Sequence, residues 1–155
     1  PGLTPAALEP FGQSLALRLK GKLPIIYAST LNLPLAYNWK IRFNETAKTA
    51  AFYNVLPEMN HNELEVTDPH FFYLLLRDPA DDSRIQKRFS RLAEMLMGQG
   101  LPVEELTLAG GPTFVKIFNA VILADWTAYY LALANQRDPV AVRLIEEFKK
   151  LIKSN

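Results

Sequence analysis

Apolar residues recur along this chain at two different spacings, and the switches between them mark out its elements. From Pro5 to Leu19, Leu8, Phe11, Leu15 and Leu19 return every three or four positions, the period of an amphipathic helix that Gly21 ends. Leu23–Ser29 (LPIIYAS) is then a short unbroken apolar run, which predicts a strand buried on both faces. Helical spacing resumes from Leu35 to Ala50 through Ala36, Trp39, Phe43 and Ala47, and Phe52–Leu56 reads as a second strand broken by Pro57. Asn60 to Val66 reads as a short helix or turn, and FFYLLLRD, Phe71 to Asp78, as another buried strand. Asp81, Asp82 and Ser83 supply caps for a helix from Arg84 to Met97, stopped by Gly98 and Gly100. A strand from Val103 to Gly110, an apolar helix from Thr113 to Ala134 and an amphipathic helix from Val140 to Ile152, opened by Pro139, complete the chain. Leu144, Ile145, Phe148, Leu151 and Ile152 share one face of the last helix. Strands alternating with helices imply an α/β layer fold with a mainly parallel sheet and right-handed crossovers.

Composition narrows the class further. Hydrophobic residues at 49% and charged ones at 21% suit a packed core, and residues 1–155 fit one domain. Seventeen basic against sixteen acidic residues give no large field for nucleic acid or a membrane surface, so an anionic ligand must be held by local groups. Unbroken apolar stretches such as Phe71 to Leu76 and Ala120 to Ala124 fall short of the roughly 20 residues a bilayer span needs. The absence of cysteine excludes disulfides and thiolate chemistry and fits a reducing cytoplasm. Two histidines are too few for a histidine-rich metal site. The chain opens at Pro1 rather than methionine, which we read as an excised segment.

Candidate chemistry concentrates between Asn44 and Glu63, NETAKTAAFYNVLPEMNHNE, where Glu45 precedes His61 by sixteen positions. A carboxylate and an imidazole suit proton transfer, although Glu45 with Lys48 also reads as an exposed helical ion pair and His61 as a turn residue. Glu58 and Glu63 flank the histidine and compete with Glu45 for the base role, although acidic residues near an imidazole more often orient it or keep it protonated, and His70 carries no motif. Of the two lysines on the last helix, Lys149 flanks the apolar face and can reach a cleft beside it, whereas Lys150, about 200° from Phe148, points to solvent. Gly110, Gly111 and Pro112 form a weak anion-loop candidate that lacks the Walker lysine. Trp126, Tyr129 and Tyr130 have the spacing of a core or subunit-interface stripe.

These segments carry a resemblance. LKGKLPIIYAS, NWKIRFNETAK, LPEMNHNE, GPTFVKIFNAVILADWTAYYLAL and the closing DPVAV…FK are similar, in order, to the C-terminal sugar-isomerase (SIS) domain of bifunctional phosphoglucose/phosphomannose isomerases. Asn38, Leu64, Glu65 and Val140 depart from the usual pattern. The resemblance implies a three-layer SIS-type, flavodoxin-like fold and an aldose–ketose isomerase of hexose 6-phosphates that needs no metal or organic cofactor. Glu45 is then the base that moves a proton between C2 and C1 through a cis-enediol. His61 assists ring opening from its own or a neighbouring subunit, and Lys149 contacts the ring or hydroxyl oxygens. The resemblance also implies an N-terminal SIS domain whose serine- and threonine-rich loops hold the sugar phosphate; nothing in this sequence matches those loops. The long apolar helix from Thr113 to Ala134 suits either the interface of a homodimer or burial within one domain. A non-catalytic phosphosugar-binding or dimerisation module is the alternative reading.

Overall fold

A computed structural model describes residues 4–108 and 111–153. Its elements are helix α1 (Pro5–Leu19), strand β1 (Leu23–Ser29), helix α2 (Leu33–Glu45), strand β2 (Phe52–Leu56), strand β3 (Phe71–Arg77), helix α3 (Ser83–Gly98), strand β4 (Val103–Thr107), helix α4 (Thr113–Ala134) and helix α5 (Arg143–Leu151). Two short 3-10 turns, Glu58–His61 and Glu63–Glu65, occupy the stretch expected to be a short helix or turn. The four strands are all parallel in the order β2-β1-β3-β4.

Alternation along the central strands builds three layers. Ile26, Ala28, Leu74 and Leu76 face α1, α2 and α4, packing with Leu15, Trp39, Phe43, Ala124 and Leu131. Their neighbours Ile25, Tyr27, Tyr73 and Leu75 face α3, packing with Phe89, Leu92 and Leu96. Each large side chain so buried stabilises the fold by about 1.5–3 kcal/mol relative to exposure. The chain moves outward from β1 to β2 through α2 on one face, and from β3 to β4 through α3 on the other, as crossovers of one handedness require.

Three expectations need correction. The second helix stops at Glu45 rather than Ala50. Asn44 Nδ2 donates to Thr49 O (2.9 Å), Thr49 Oγ1 donates to Ala47 O (3.1 Å), and Lys48 turns the backbone with φ 53°, so local polar side chains replace the helical ladder. The last helix begins at Arg143 because Asp138 Oδ1 accepts the Val140 N–H (2.8 Å), holding Pro139 and Val140 in a turn. The strand expected to reach Gly110 ends at Thr107, and Gly110 lies outside the described residues.

Helix α4 is long and apolar enough, by length and composition, to cross a bilayer, contrary to the expectation from unbroken apolar runs. Its small residues Ala120, Ala124, Ala128 and Ala132 instead pack in the fold. Gly12 of α1 is the point of closest approach: a Cβ there would lie 2.6 Å from Trp126 Cβ. The aromatic stripe reinforces this contact, with Trp126 Nε1 donating to Pro5 O (2.9 Å) and the Tyr130 hydroxyl to Glu9 Oε1 (2.5 Å).

Candidate functional site

Parallel topology decides which candidate residues can meet. Helix α2 returns from the carboxyl edge of the sheet to its amino edge and delivers Glu45, its last residue, there. Buried Leu35, Ala36, Trp39 and Phe43 fix the helix, leaving Glu45 exposed beyond the core. Strand β2 then runs back across the sheet, roughly 15 Å for its length, before the turn that bears His61. Glu45 and His61, sixteen positions apart in sequence, therefore stand at opposite edges. One copy of the chain does not bring them together.

At the amino edge Glu45 lines a cavity of about 700 Å3 with Lys48, Arg137, Asp138, Arg143 and Glu147. Lys48 Nζ donates to the Glu45 carbonyl, while the Glu45 carboxylate accepts no hydrogen bond among the described residues. Lys149 stands outside the lining and pairs with Glu146 (2.8 Å). Its ammonium is pushed above the ordinary lysine value by that bond and the Glu146 charge, with a smaller contribution from Glu45, so the two predicted residues share a field. Lys48 and Gln136, both on this cavity, are the two non-glycine residues with positive φ among the described residues. Such conformations cost energy and collect at functional sites.

At the carboxyl edge the predicted residues are differently engaged. The His61 ring is exposed and makes no hydrogen bond among the described residues. Glu63 does not orient it. Its carboxylate accepts from the Tyr27 hydroxyl (2.8 Å) and Asn54 Nδ2 (2.5 Å), and burial together with this bond raises the Tyr27 pKa. Glu58 accepts from Asn62 Nδ2 (3.2 Å), and His70 pairs with Asp68 in an exposed loop (2.7 Å). Gly111 has φ 42° and Pro112 precedes α4, with no further feature of an anion loop on the described residues.

Sequence reasoning missed a polar cluster at this edge. Beyond β1 and β3, Asn32 Nδ2 donates to Ser29 Oγ (3.0 Å) and to Asp78 Oδ2 (3.1 Å), while Lys116 Nζ reaches the same oxygen (2.5 Å) and the Ala80 N–H reaches Asp78 Oδ1 (2.9 Å). The Asp78 side chain is 1% exposed and that of Lys116 15%. Burial alone would raise the Asp78 carboxyl; the bonds from Lys116, Ala80 and Asn32 outweigh it and hold the group below its ordinary value of 3.8. Neighbouring Asp81 moves the other way, raised chiefly by burial. A lone Asp after a strand, Asp78, is the one signal the sequence offered. Among the described residues no group of three His, Asp or Glu is arranged to hold a metal ion.

Comparison with known proteins agrees with this architecture. Residues 11–152 match the model of the bacterial phospho-glucose isomerase C-terminal SIS domain. The bifunctional phosphoglucose/phosphomannose isomerase of Aquifex aeolicus is 32% identical over 154 residues, 96% of this chain and 48% of that protein. The enzyme of the same description from Thermoplasma volcanium is 35% identical over 135 residues, 84% of this chain and 43% of that protein. The chain thus spans about half the length of the curated relatives it matches. A glucose-6-phosphate isomerase like protein from Thermus thermophilus superposes with a TM-score of 0.67 at 24% identity, over 86% of this chain and 46% of that one, a likeness of fold. With the parallel 2-1-3-4 sheet and a family match over nearly its whole length, the chain belongs to the bacterial phospho-glucose isomerase C-terminal SIS domain family.

Proposed function

We propose that residues 1–155 form one SIS domain that supplies the proton-transfer base, Glu45, of a hexose 6-phosphate aldose–ketose isomerase. The observation that carries this reading is the unbonded Glu45 carboxylate in an open cavity at the amino edge, remote from the carboxyl edge where sheets of this class hold their own ligands. In the forward direction the carboxylate takes the C2 proton of open-chain glucose 6-phosphate. The C2–H electron pair becomes the C1–C2 double bond of a cis-enediol as O1 gains a proton. Return of the proton from Glu45 to C1, with loss of the O2 proton, gives fructose 6-phosphate. Epimerisation at C2 through the same enediol extends the activity to mannose 6-phosphate. One carboxylate, as acceptor and then donor, suffices without a metal or organic cofactor.

Lys149, already in the field of Glu45, serves the ring or hydroxyl oxygens. The opposite-edge position of His61 supports ring opening by the His61 of a neighbouring subunit, which makes the working unit at least a homodimer. The match to only half of each relative supports a partner SIS domain that holds the phosphate. The test combines this chain with a phosphate-binding SIS domain of a relative. Glu45→Gln is expected to abolish isomerisation while leaving hexose 6-phosphate binding within about twofold; full turnover in the variant overturns the assignment.

The bonded Ser29–Asn32–Asp78–Lys116 cluster favours a second reading, a SIS module without catalysis. It predicts phosphosugar binding and no turnover in either the parent chain or the variant.

A further inference from the structure

Arginine partnering is uneven in this molecule. Five of its eight arginines, Arg18, Arg42, Arg77, Arg88 and Arg91, have a side-chain partner at a distance typical of an ion pair or hydrogen bond. Of the three whose guanidinium has no such partner among the described residues, Arg84 stands alone on α3, but Arg137 and Arg143 line the same cavity. Carboxylates are at hand there and are not used. Glu45, Asp138 and Glu147 line that cavity too, and Asp138 spends Oδ1 on the Val140 N–H instead. The lining thus holds Lys48, Arg137 and Arg143 beside those three carboxylates, yet neither guanidinium is paired with any of them.

Both arginines are held at fixed stations. Arg137 follows the left-handed Gln136 (φ 55°) that closes α4, with the Gln136 N–H bonded to Leu133 O (3.0 Å) and the Arg137 N–H to Ala132 O (2.9 Å). That pair of bonds is a Schellman motif, which fixes the exit of the chain from the helix. Arg143 is the first residue of α5. The five residues between them, 138–142, include a turn tied by Asp138, so the spacing of the two backbone stations is set before a ligand arrives. Placement ahead of binding reduces the ordering that a ligand must bring about.

We propose that Arg137 and Arg143 are an anion-binding pair in the Glu45 cavity that takes a phosphate group. A phosphate presents enough oxygens for two guanidinium forks approaching from different stations, and a forked charge-assisted contact of this kind is stronger than a neutral one. Lys48 adds a third cation to the same lining. The pair assigns to this chain a phosphate contact separate from any supplied by a partner domain. It does not depend on Glu45 being a base. The phosphate comes either from a sugar ester seated in the cavity or from free inorganic phosphate.

The test is an NMR titration of the 155-residue chain at constant ionic strength with inorganic phosphate, glucose 6-phosphate and unphosphorylated glucose, following the backbone amides of residues 136–145. Saturable shifts with phosphate or glucose 6-phosphate and none with glucose are expected. Tighter binding of the ester assigns the site to a sugar phosphate, and equal binding assigns it to free phosphate. The double variant Arg137→Gln/Arg143→Gln is expected to weaken binding roughly tenfold or more. Arg84→Gln, which removes one charge outside the cavity, is expected to leave it unchanged. Because both arginines are exposed, circular dichroism of the double variant should match the parent. Linear, unsaturable shifts, or equal affinity in the parent and the double variant, overturn the proposal while leaving the Glu45 assignment to its own test.

Discussion

At the carboxyl edge of the sheet, Asp78 receives bonds from Asn32, Lys116 and the Ala80 N–H; at the amino edge, Glu45, Arg137 and Arg143 line one cavity and their charged ends bond to no described residue. Parallel sheets ordinarily hold ligands outside the carboxyl ends of their strands, where the strand order reverses. Here that position lies between β1 and β3, where an internal ion pair, Lys116–Asp78, stands beside a cavity lined by Ser29, Thr30, Ala80 and Asp81. The difference teaches that a well-satisfied polar cluster is part of the fold, whereas unsatisfied charge held on rigid elements is available for binding or chemistry. A domain with its free carboxylate on the far edge is suited to complete a site built by another unit.

The largest effect expected is on chemistry at the open edge. Glu45→Gln should lower isomerase turnover by roughly 10²–10⁴-fold, the range for loss of a general base. The same change should leave unfolding free energy within about 0.5 kcal/mol, because an exposed carboxylate at the end of α2 contributes little to the fold. Denaturant unfolding beside a coupled activity assay reads both. A loss of several kcal/mol would place Glu45 with the structural residues and erase the contrast between the edges.

The ion-paired Asp78 at the carboxyl edge should behave in the opposite way. Asp78→Asn leaves buried Lys116 without its counter-charge and should cost about 3 kcal/mol in denaturant unfolding. Its pH dependence has a definite sign. A carboxyl held below its ordinary 3.8 in the fold contributes stability above that value and loses it as the pH falls towards and through its folded value. The parent should therefore lose more stability than the variant on acidification below about pH 4. Identical acid profiles would remove Asp78 from the account.

Smaller effects sharpen the comparison. Gly12→Ala forces a Cβ to within 2.6 Å of Trp126 Cβ, and overpacking of about 1–3 kcal/mol should outweigh the better helix propensity of alanine. His61→Asn should change stability by less than about 0.5 kcal/mol, since the ring is exposed and bonds to no described residue. Mixing Glu45→Gln with His61→Asn chains should restore part of the activity that each lacks, as sites sharing residues between subunits require. No recovery on mixing would contradict a shared site.

Elements whose apolar period is strong were legible in the sequence: α1, β1, β2 and α4 carry the predicted bounds because their core contacts are local in pattern. The end of α2 was not, because Asn44 and Thr49 take over the helical bonds there and apolar spacing through Ala47 hides that competition. The cluster of Ser29, Asn32, Asp78 and Lys116 offered no signal beyond Asp78, since its members come from the end of β1 and the turn after it, the loop after β3 and helix α4, which only the parallel topology joins. The short sequence distance between Glu45 and His61 left open which subunit pairs them, because only the topology shows that an entire strand lies between them. Helical geometry set Lys149 beside a cleft, whereas in the structure it stands outside the cavity lining and bonds to Glu146, a pairing that depends on rotamers that spacing does not fix.

Deuterium entry at C1 of fructose 6-phosphate in heavy water, followed by NMR with this chain, the phosphate-binding partner domain and Glu45→Gln as control, tests the central claim most directly. Exchange in the parent that vanishes in the variant is the predicted result. Exchange that persists in the variant, or is absent from the assembled parent, contradicts Glu45 as the base.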